Sequence, residues 1–285
     1  MNSIPKYFLS LFVFIIFPGS DPEKKKTGTE PDNPAPITVT NDYCRTDNNT
    51  FSDNETLTYK IYYNVNFIWI GAGTVTFNID KRGSNYFAEA VGKTYGGYDW
   101  IFKVRDTFQS VLDQNTLLPI ESTRVVNEGN YTKYDHVQYM RNSRLARSAM
   151  GKSRLNAETK IITVDQCVHD VLSTLYAFRN TSVQSLANDK RYSLDMLLDR
   201  KKYPVSMKFG GEEKKKIKGI GPLDSYLIEP KVVVGNIFSE EDGMKIWVSK
   251  DQNKVPLLIE SPIAVGKIKA VLSGHKGLKY PTNGY

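Results

Sequence analysis

Val168–Asn180, VHDVLSTLYAFRN, restricts the fold most, because it is the one convincing helix in a chain that otherwise reads as strands. Val168, Val171, Leu172, Leu175 and Tyr176 recur at i, i+3, i+4, i+7 and i+8, which makes one apolar face of an α-helix. His169, Asp170, Ser173 and Thr174 form the opposite, polar face. Asp165 is placed to cap the N-terminus, Asp170 sits in the first turn, and Arg179 and Asn180 suit the last turn and exit. A lone amphipathic helix among strands has to lay its apolar face on a sheet. The expected fold is therefore all-β with one main helix: a long antiparallel meander forming a curved sheet or barrel-like half-barrel, with helix 168–180 packed on its concave face.

The strands are read from alternation. Leu57–Asn66 alternates Leu57, Tyr59, Ile61, Tyr63 and Val65 against polar neighbours, the pattern of a half-buried strand. A second strand runs from Phe67 to Asp80, and its glycines Gly71 and Gly73 suggest a bulge or tight bend. Strands follow at Asn85–Tyr95, Lys103–Asp113, Leu117–Val126, Tyr131–Met140, Ser143–Met150 and Lys160–Val164. Gly96–Phe102 breaks the alternation and is read as a corner or short helical turn. Beyond the helix come Tyr192–Leu198, Pro204–Phe209, Lys214–Lys218, Ser225–Val234, Lys245–Ser249, Pro256–Ser261 and Lys267–Ser273. Gly210-Gly211 is read as a turn between two of these. No internal repeat is visible.

The N-terminus reads as an address. Lys6 precedes an apolar run, Tyr7–Phe17, too short for the ~20 residues a membrane helix needs but suited to the h-region of a secretory signal. No Cys follows it directly, which argues against a bacterial lipoprotein anchor. Asp21–Asp42 is polar, carries Pro22, Pro31, Pro34 and Pro36 and lacks periodicity, so it is expected to be a disordered leader. The formal net charge of +7 is spread among 31 acids, with no basic run interleaved with aromatics. That fits solubility or a weak attraction to an anionic surface, and no nucleic-acid partner is expected. The only two cysteines, Cys44 and Cys167, invite a disulfide in an oxidising compartment.

The phrases NETLTYKIYYNVNFIWIGAGTVTF, YDWIFKVRDTFQSVLD, VVNEGNYTKYDHV, QCVHDVLSTLYAFRN and DGMKIWVSKDQNKVPLLIESPIAVGKIKAVL resemble the DUF3108 family of exported bacterial proteins, particularly its Bacteroidetes members. The resemblance covers roughly residues 44–278. It implies an envelope location, periplasmic or outer-membrane-associated, and an all-β architecture, in a family of unknown function. A curved sheet with a helix in its mouth also resembles, as fold analogy, the half-barrel carriers of lipoproteins of the LolA and LolB type. The expected organisation is a signal peptide at 1–20, a leader at 21–42, a single DUF3108-like β domain at 43–278 and a C-terminal tail at 279–285, with no transmembrane span in the mature chain.

Catalytic motifs are absent: there is no H-E-x-x-H, G-x-S-x-G or C-x-x-C. Gly92-Lys93-Thr94 and Gly151-Lys152-Ser153 mimic the end of a phosphate-binding loop, but Phe87 and Ala146 stand where its first glycine is required. His136, His169 and His275 are too scattered to indicate a metal, and no metal or cofactor is expected. The acidic loop Ser239–Asp242 lacks the spaced oxygen ligands of a calcium loop.

The most site-like constellation is Asp99, Arg105, Asp106, Glu128 and Asp135, interleaved with Tyr98, Trp100, Tyr131 and Tyr134. Arg105 and Asp106 point to opposite faces of one strand, so one of them faces inward and needs a partner. Asp99 or Glu128 can pair with Arg105. The set reads either as a polar anchor in a ligand cavity, with Tyr176 of the helix, or as an ion pair tying the 96–102 corner to a neighbouring hairpin.

Three functions follow. The first is a non-enzymatic envelope protein whose curved sheet binds a lipid or other hydrophobic small molecule, and it predicts more buried apolar volume than side chains fill. The second is a structural or assembly module with a solid interior that binds an envelope protein partner. The third is a hydrolase that uses the Asp/Glu set.

Overall fold

The computed structural model describes residues 44–65, 68–100, 102–183, 186, 192–232, 243–262 and 266–285. The expected signal peptide, the leader and the Ser239–Asp242 loop lie outside these. Eight strands come first: β1 (Asn54–Val65), β2 (Ile68–Arg82), β3 (Asn85–Thr94), β4 (Arg105–Asp113), β5 (Pro119–Glu128), β6 (Tyr131–Met140), β7 (Leu145–Gly151) and β8 (Glu158–Thr163). Helix α1 (Val171–Asn180) follows. Six strands complete the fold: β9 (Tyr192–Leu198), β10 (Lys201–Ile217), β11 (Gly221–Val232), β12 (Lys245–Ser249), β13 (Pro256–Pro262) and β14 (Lys267–Lys276).

All fourteen strands form one antiparallel sheet in the order β8-β7-β6-β5-β4-β3-β2-β1-β14-β13-β12-β11-β10-β9. Every neighbour is a sequence neighbour except β1 and β14, which pair from Thr56↔Lys276 to Tyr63↔Ile268. The curved all-β sheet with one main helix is therefore the architecture the alternation implies. The sheet's inner face supplies the core, with Leu57, Tyr59 and Ile61 of β1, Val75 and Ile79 of β2, Phe108 and Leu112 of β4, and Ile246, Ile259 and Ile268 beyond.

Two strand readings are corrected. Pro204–Phe209 and Lys214–Lys218 are one strand, β10. Gly210-Gly211 is a bulge in it: the pairing with β11 slips between Phe209 and Gly211, and Gly211 takes φ +110. A Cβ on Gly210 would stand 2.8 Å from the Leu227 side chain, so the glycine lets β11 pack close. The suspected irregularity at Gly71–Gly73 is also a bulge. Ile61 faces Gly73 while Tyr62 faces Gly71, which leaves Ala72 as the extra residue.

The helix begins three residues later than its periodicity implies, and its cap is Asp170 rather than Asp165. The Asp170 carboxylate accepts from the Ser173 N–H at 2.7 Å, and the Ser173 hydroxyl accepts from the Asp170 N–H at 2.8 Å, a reciprocal capping box. Val168 and His169 serve another purpose. His169 donates to Asp195 O and accepts from Leu197 N–H, both at 2.8 Å, so this lead-in runs along the free edge of β9. The expected polar face does not meet solvent: His169, Asp170, Ser173 and Thr174 are all buried. The helix lies against β3, β4 and β9, so protein surrounds it on both flanks.

Both helix ends are tied to the sheet. Asp170 accepts from the Ser110 hydroxyl of β4 at 2.5 Å. Arg179, in the last turn, makes two hydrogen bonds to Glu55 of β1 (2.5 and 3.1 Å) and one to Asn253 O (2.9 Å). A cation in the last turn also opposes the negative end of the helix dipole. Cys44 and Cys167 form a disulfide, Cα to Cα 5.5 Å, which ties the first described residue to the helix lead-in. Asp170→Ala removes the cap and leaves the Ser110 hydroxyl and Ser173 N–H buried without their acceptor. The expected loss of stability is about 2–4 kcal/mol, read from the urea midpoint at constant m-value.

Candidate functional site

The predicted constellation separates into three places. On the outer face, Arg105 reaches Asp99 through two hydrogen bonds of 2.6 and 3.1 Å, and Asp99 accepts from the Thr94 hydroxyl at 2.7 Å. Hydrogen bonds from Thr94 and Arg105 hold the Asp99 carboxyl below its ordinary pKa. This pair braces the short 3₁₀ turn Gly96–Tyr98, so Asp99 is the partner of Arg105 and Glu128 is not. Tyr98 and Trp100 are exposed on the same corner.

Asp106 is the inward member of the Arg105/Asp106 step, fully buried beside the equally buried Glu128. Its Oδ1 accepts from the Asn127 N–H at 2.9 Å. Burial pushes the Asp106 carboxyl up to about 6, against the pull of Asn127, Glu128 and Arg124. Two carboxyls this close cannot both ionise easily, so the pair retains a proton well above the usual carboxylate range. With accessibilities of 0% and 1%, neither meets a substrate, and the pair lacks the open cleft that carboxylate hydrolysis needs.

The third place is the seam where the two ends of the sheet meet. The β9–β10 turn carries Asp199 and Arg200, both at positive φ, onto the inner face of β5, β6 and β7. Asp199 pairs with Arg124 and, at 2.6 Å, with Lys133. Arg124 also reaches Asp135 at 3.3 Å. Arg200 donates to the Ser148 hydroxyl at 3.0 Å and to its carbonyl at 3.2 Å. Burial alone would raise the Asp199 pKa, but Arg124 and Lys133 hold it below the ordinary value. A cavity of about 30 Å³ lies here among Phe108, Arg124, Asp135, Val171 and Leu198. That is room for two or so waters, at about 10–15 Å³ each. Arg124, Lys133, Asp199 and Arg200 were absent from the sequence-based site. Their visible signal is that Ser122, Arg124 and Glu128 occupy the buried register of β5, where apolar residues are the norm.

The aromatics scatter likewise. Tyr131 packs half-buried against the main core, and Tyr134 stacks on His136, with centroids 6.5 Å apart. Tyr176 lies across the interior, edge-on to Phe51 at 4.9 Å. There it lines an apolar crevice of about 70 Å³ between α1 and the sheet. Leu175 and Tyr176 form the helix side, and Leu57, Phe77, Ile246 and Ile259 the sheet side. Arg179 stands at its margin, committed to Glu55.

His169 Nδ1 is 3.1 Å from Ser173 Oγ, which superficially suggests a nucleophile and base. Burial drives the His169 pKa down to about 3, and Ser173 is spent on the capping box. The pair is architectural. Among the described residues, no group of three or more His, Cys, Asp or Glu side chains could hold a metal ion, and no helix is long and apolar enough to cross a membrane.

A family model described as a protein of unknown function, DUF3108, matches residues 58–273. None of the curated proteins matches the chain. Among solved structures, a β-barrel-like protein of the domain of unknown function DUF1849 from Brucella abortus is similar at 8% identity and TM-score 0.55, covering 81% of this chain and 100% of that one. This likeness extends to the fold alone. A lipoprotein candidate from Parabacteroides distasonis aligns at 9% identity over 81% of this chain and 99% of that one, with a TM-score of 0.33, too low to carry an argument.

The titration of Asp106 has a definite sign. Its raised pKa contributes stability that is present below about pH 4 and lost as pH rises through about 6. Neutral His169 acts oppositely, costing stability as pH falls below its unfolded value near 6.5. In Asp106→Asn the first contribution disappears. Relative to wild type, the variant should gain about 2–3 kcal/mol between pH 4 and pH 8 in chemical denaturation. Parallel pH curves for the two proteins would show that the pair carries no such proton.

Proposed function

The chain belongs to the DUF3108 family, and from that premise we propose a non-enzymatic exported envelope protein that seats a short apolar group, such as the end of an acyl chain, in the crevice between α1 and the sheet. The observation that carries the reading is that crevice. It is apolar on both walls, and Leu175 of the helix remains only half-buried beside it. The run Tyr7–Phe17 and the Cys44–Cys167 disulfide support export to an oxidising compartment. The full burial of the Asp106–Glu128 pair supports a binding role over a hydrolytic one.

Size limits what the crevice takes. About 70 Å³ admits roughly five water-sized groups, the scale of a short alkyl segment and not of a whole lipid. At about 0.8 kcal/mol per buried CH₂, five methylenes contribute about 4 kcal/mol, which corresponds to a Kd near 1 mM. The protein would therefore hold one chain end in passing, with further affinity supplied by whatever carries that chain.

Titration of decanoate into the full chain by calorimetry tests this. Binding in the high-micromolar to millimolar range is expected. Leu175→Trp, which fills the crevice, should abolish it, and Leu175→Ala, which enlarges the crevice, should strengthen it. Heats that are absent, or unchanged in both variants, would remove the crevice as a ligand site. The assembly-module reading, which a well-filled interior favours, would then stand in its place.

A further inference from the structure

In an antiparallel meander, successive hairpins fall alternately at the two ends of the sheet. The β1–β2, β3–β4, β5–β6 and β7–β8 connections therefore share one rim. Nine large hydrophobic side chains are exposed among the described residues, and six of them sit on this rim: Ile68, Ile70, Tyr95, Tyr98, Trp100 and Leu155. The opposite rim carries Ile120 and Met140, and Ile161 lies on the edge strand β8. Exposure on the rim is extreme at the tips, 83% for Trp100, 97% for Leu155 and 66% for Ile68. Single exposed apolar residues are ordinary, but six of nine gathered at one rim are not.

The tips project. The last β2–β3 pair is Gly73↔Thr94, so Ile68–Ala72 extend past β3 by five residues, about 16 Å at a strand's rise. The β3–β4 corner folds back against this extension. Tyr95 N–H donates to Ala72 O at 3.0 Å, and the Tyr95 ring passes over Gly71 beside Tyr62. The result is a narrow, braced promontory of aliphatic and aromatic side chains, held in place by the Asp99–Arg105 pair.

Its charges have one dominant sign. Lys93 and Lys103 are exposed at the promontory, and Lys152 and Arg154 flank Leu155. Lys269, which is paired with Glu260 at 2.9 Å, lies 4.1 Å over Trp69, and Lys218 lies 4.5 Å over Tyr62. The exposed acid at these tips is Glu158, since Asp99 is engaged by Arg105. Glu240, Glu241 and Asp242, on the β11–β12 connection, lie outside the described residues. Trp and Tyr with flanking lysines, on pointed loops instead of a flat face, is the composition of a membrane–water interface: rings at headgroup depth, aliphatic tips just below, ammonium groups among phosphates. A flat protein partner would be met by a packed, charge-depleted patch, which these separated tips do not form.

The geometry points to this rim as a docking surface for an anionic phospholipid bilayer, with Trp100 and Ile68 inserting at the interface and Lys93 and Lys103 contacting headgroup phosphates. This does not depend on the crevice beside α1. It orients the sheet with its hairpin tips toward the lipid.

The test uses the full chain and vesicles of phosphatidylcholine with phosphatidylglycerol, and vesicles of phosphatidylcholine alone. Tyr7–Phe17 can hold the chain to a bilayer by itself, so co-sedimentation is not the deciding readout. The deciding readout is quenching of Trp fluorescence by brominated lipid, with Trp100→Phe as the blank for the one highly exposed tryptophan. Wild type should show a blue shift and quenching on the anionic vesicles that Trp100→Phe lacks. Lys93→Glu with Lys103→Glu should reduce the signal at least fivefold, and raising salt should weaken it. Equal quenching in wild type and Trp100→Phe, or none in either, would overturn the proposal even if the chain sediments with vesicles. So would equal signals on neutral and anionic vesicles, because the lysines would then have no part in it. Circular dichroism of each variant checks that these exposed substitutions leave the fold intact.

Discussion

A fourteen-stranded sheet that does not close has two edges, each a row of unpaired backbone groups ready to recruit another strand. How this chain treats those edges organises everything else. On the β9 side, His169 lies along the strand and takes up two of its outward hydrogen bonds just before the chain turns into α1. On the β8 side, Glu158, Thr159, Lys160 and Thr163 put charged and polar side chains along an exposed strand, with Ile161 exposed among them. The two ends are then drawn together by side chains instead of a backbone ladder, through Arg124, Lys133 and Asp135 on one side and Asp199 and Arg200 on the other. Such a cluster is a weak source of net stability but punishes misalignment, because each charge stranded without its partner is costly. It specifies where the sheet's ends meet.

The helix follows from the same constraint. As the bridge between the two edge strands, it must cross the inside of the sheet, and so it is buried on faces that a surface helix would give to solvent. Its polar residues are accordingly all engaged: Asp170 and Ser173 with each other, Asp170 with Ser110, Thr174 with the carbonyl of Asp170 and Arg179 with Glu55. Filling the interior with a lashed helix leaves little free volume. That is why the apolar crevice is short and why the apolar side chains at the rim lie outside the barrel-like body.

What the sequence made legible follows the range of the interaction involved. Alternation locates the strands, and Tyr131–Met140, Tyr192–Leu198 and Lys245–Ser249 begin and end where it places them. Gly210-Gly211 reads as a turn because a turn and a bulge ask for the same residue. The partner decides between them, and β11 runs continuously past both glycines. Asp165 and Asp170 are equally good caps locally, and only the docking of His169 on Met196 excludes the earlier start. Within the site, the opposed directions of Arg105 and Asp106 are readable from strand geometry. The pairing of Arg124 with Asp199, seventy-five residues apart, is not, because nothing in either neighbourhood names the other.

The one non-consecutive pairing, β1 with β14, bears on how the chain is made. β1 is the first strand to emerge during synthesis and β14 the last, so one side of β1 waits for almost the entire domain. Hairpins from β1 to β8 can zip locally and quickly, while the half that carries β9 to β14 is still absent. Throughout that interval Leu57, Tyr59 and Ile61 border an open ladder at what will become the middle of the sheet. A nascent chain in this state is sticky at its centre, where the finished protein is most protected. Its dependence on being kept apart from its siblings should therefore end abruptly, with arrival of the final strand.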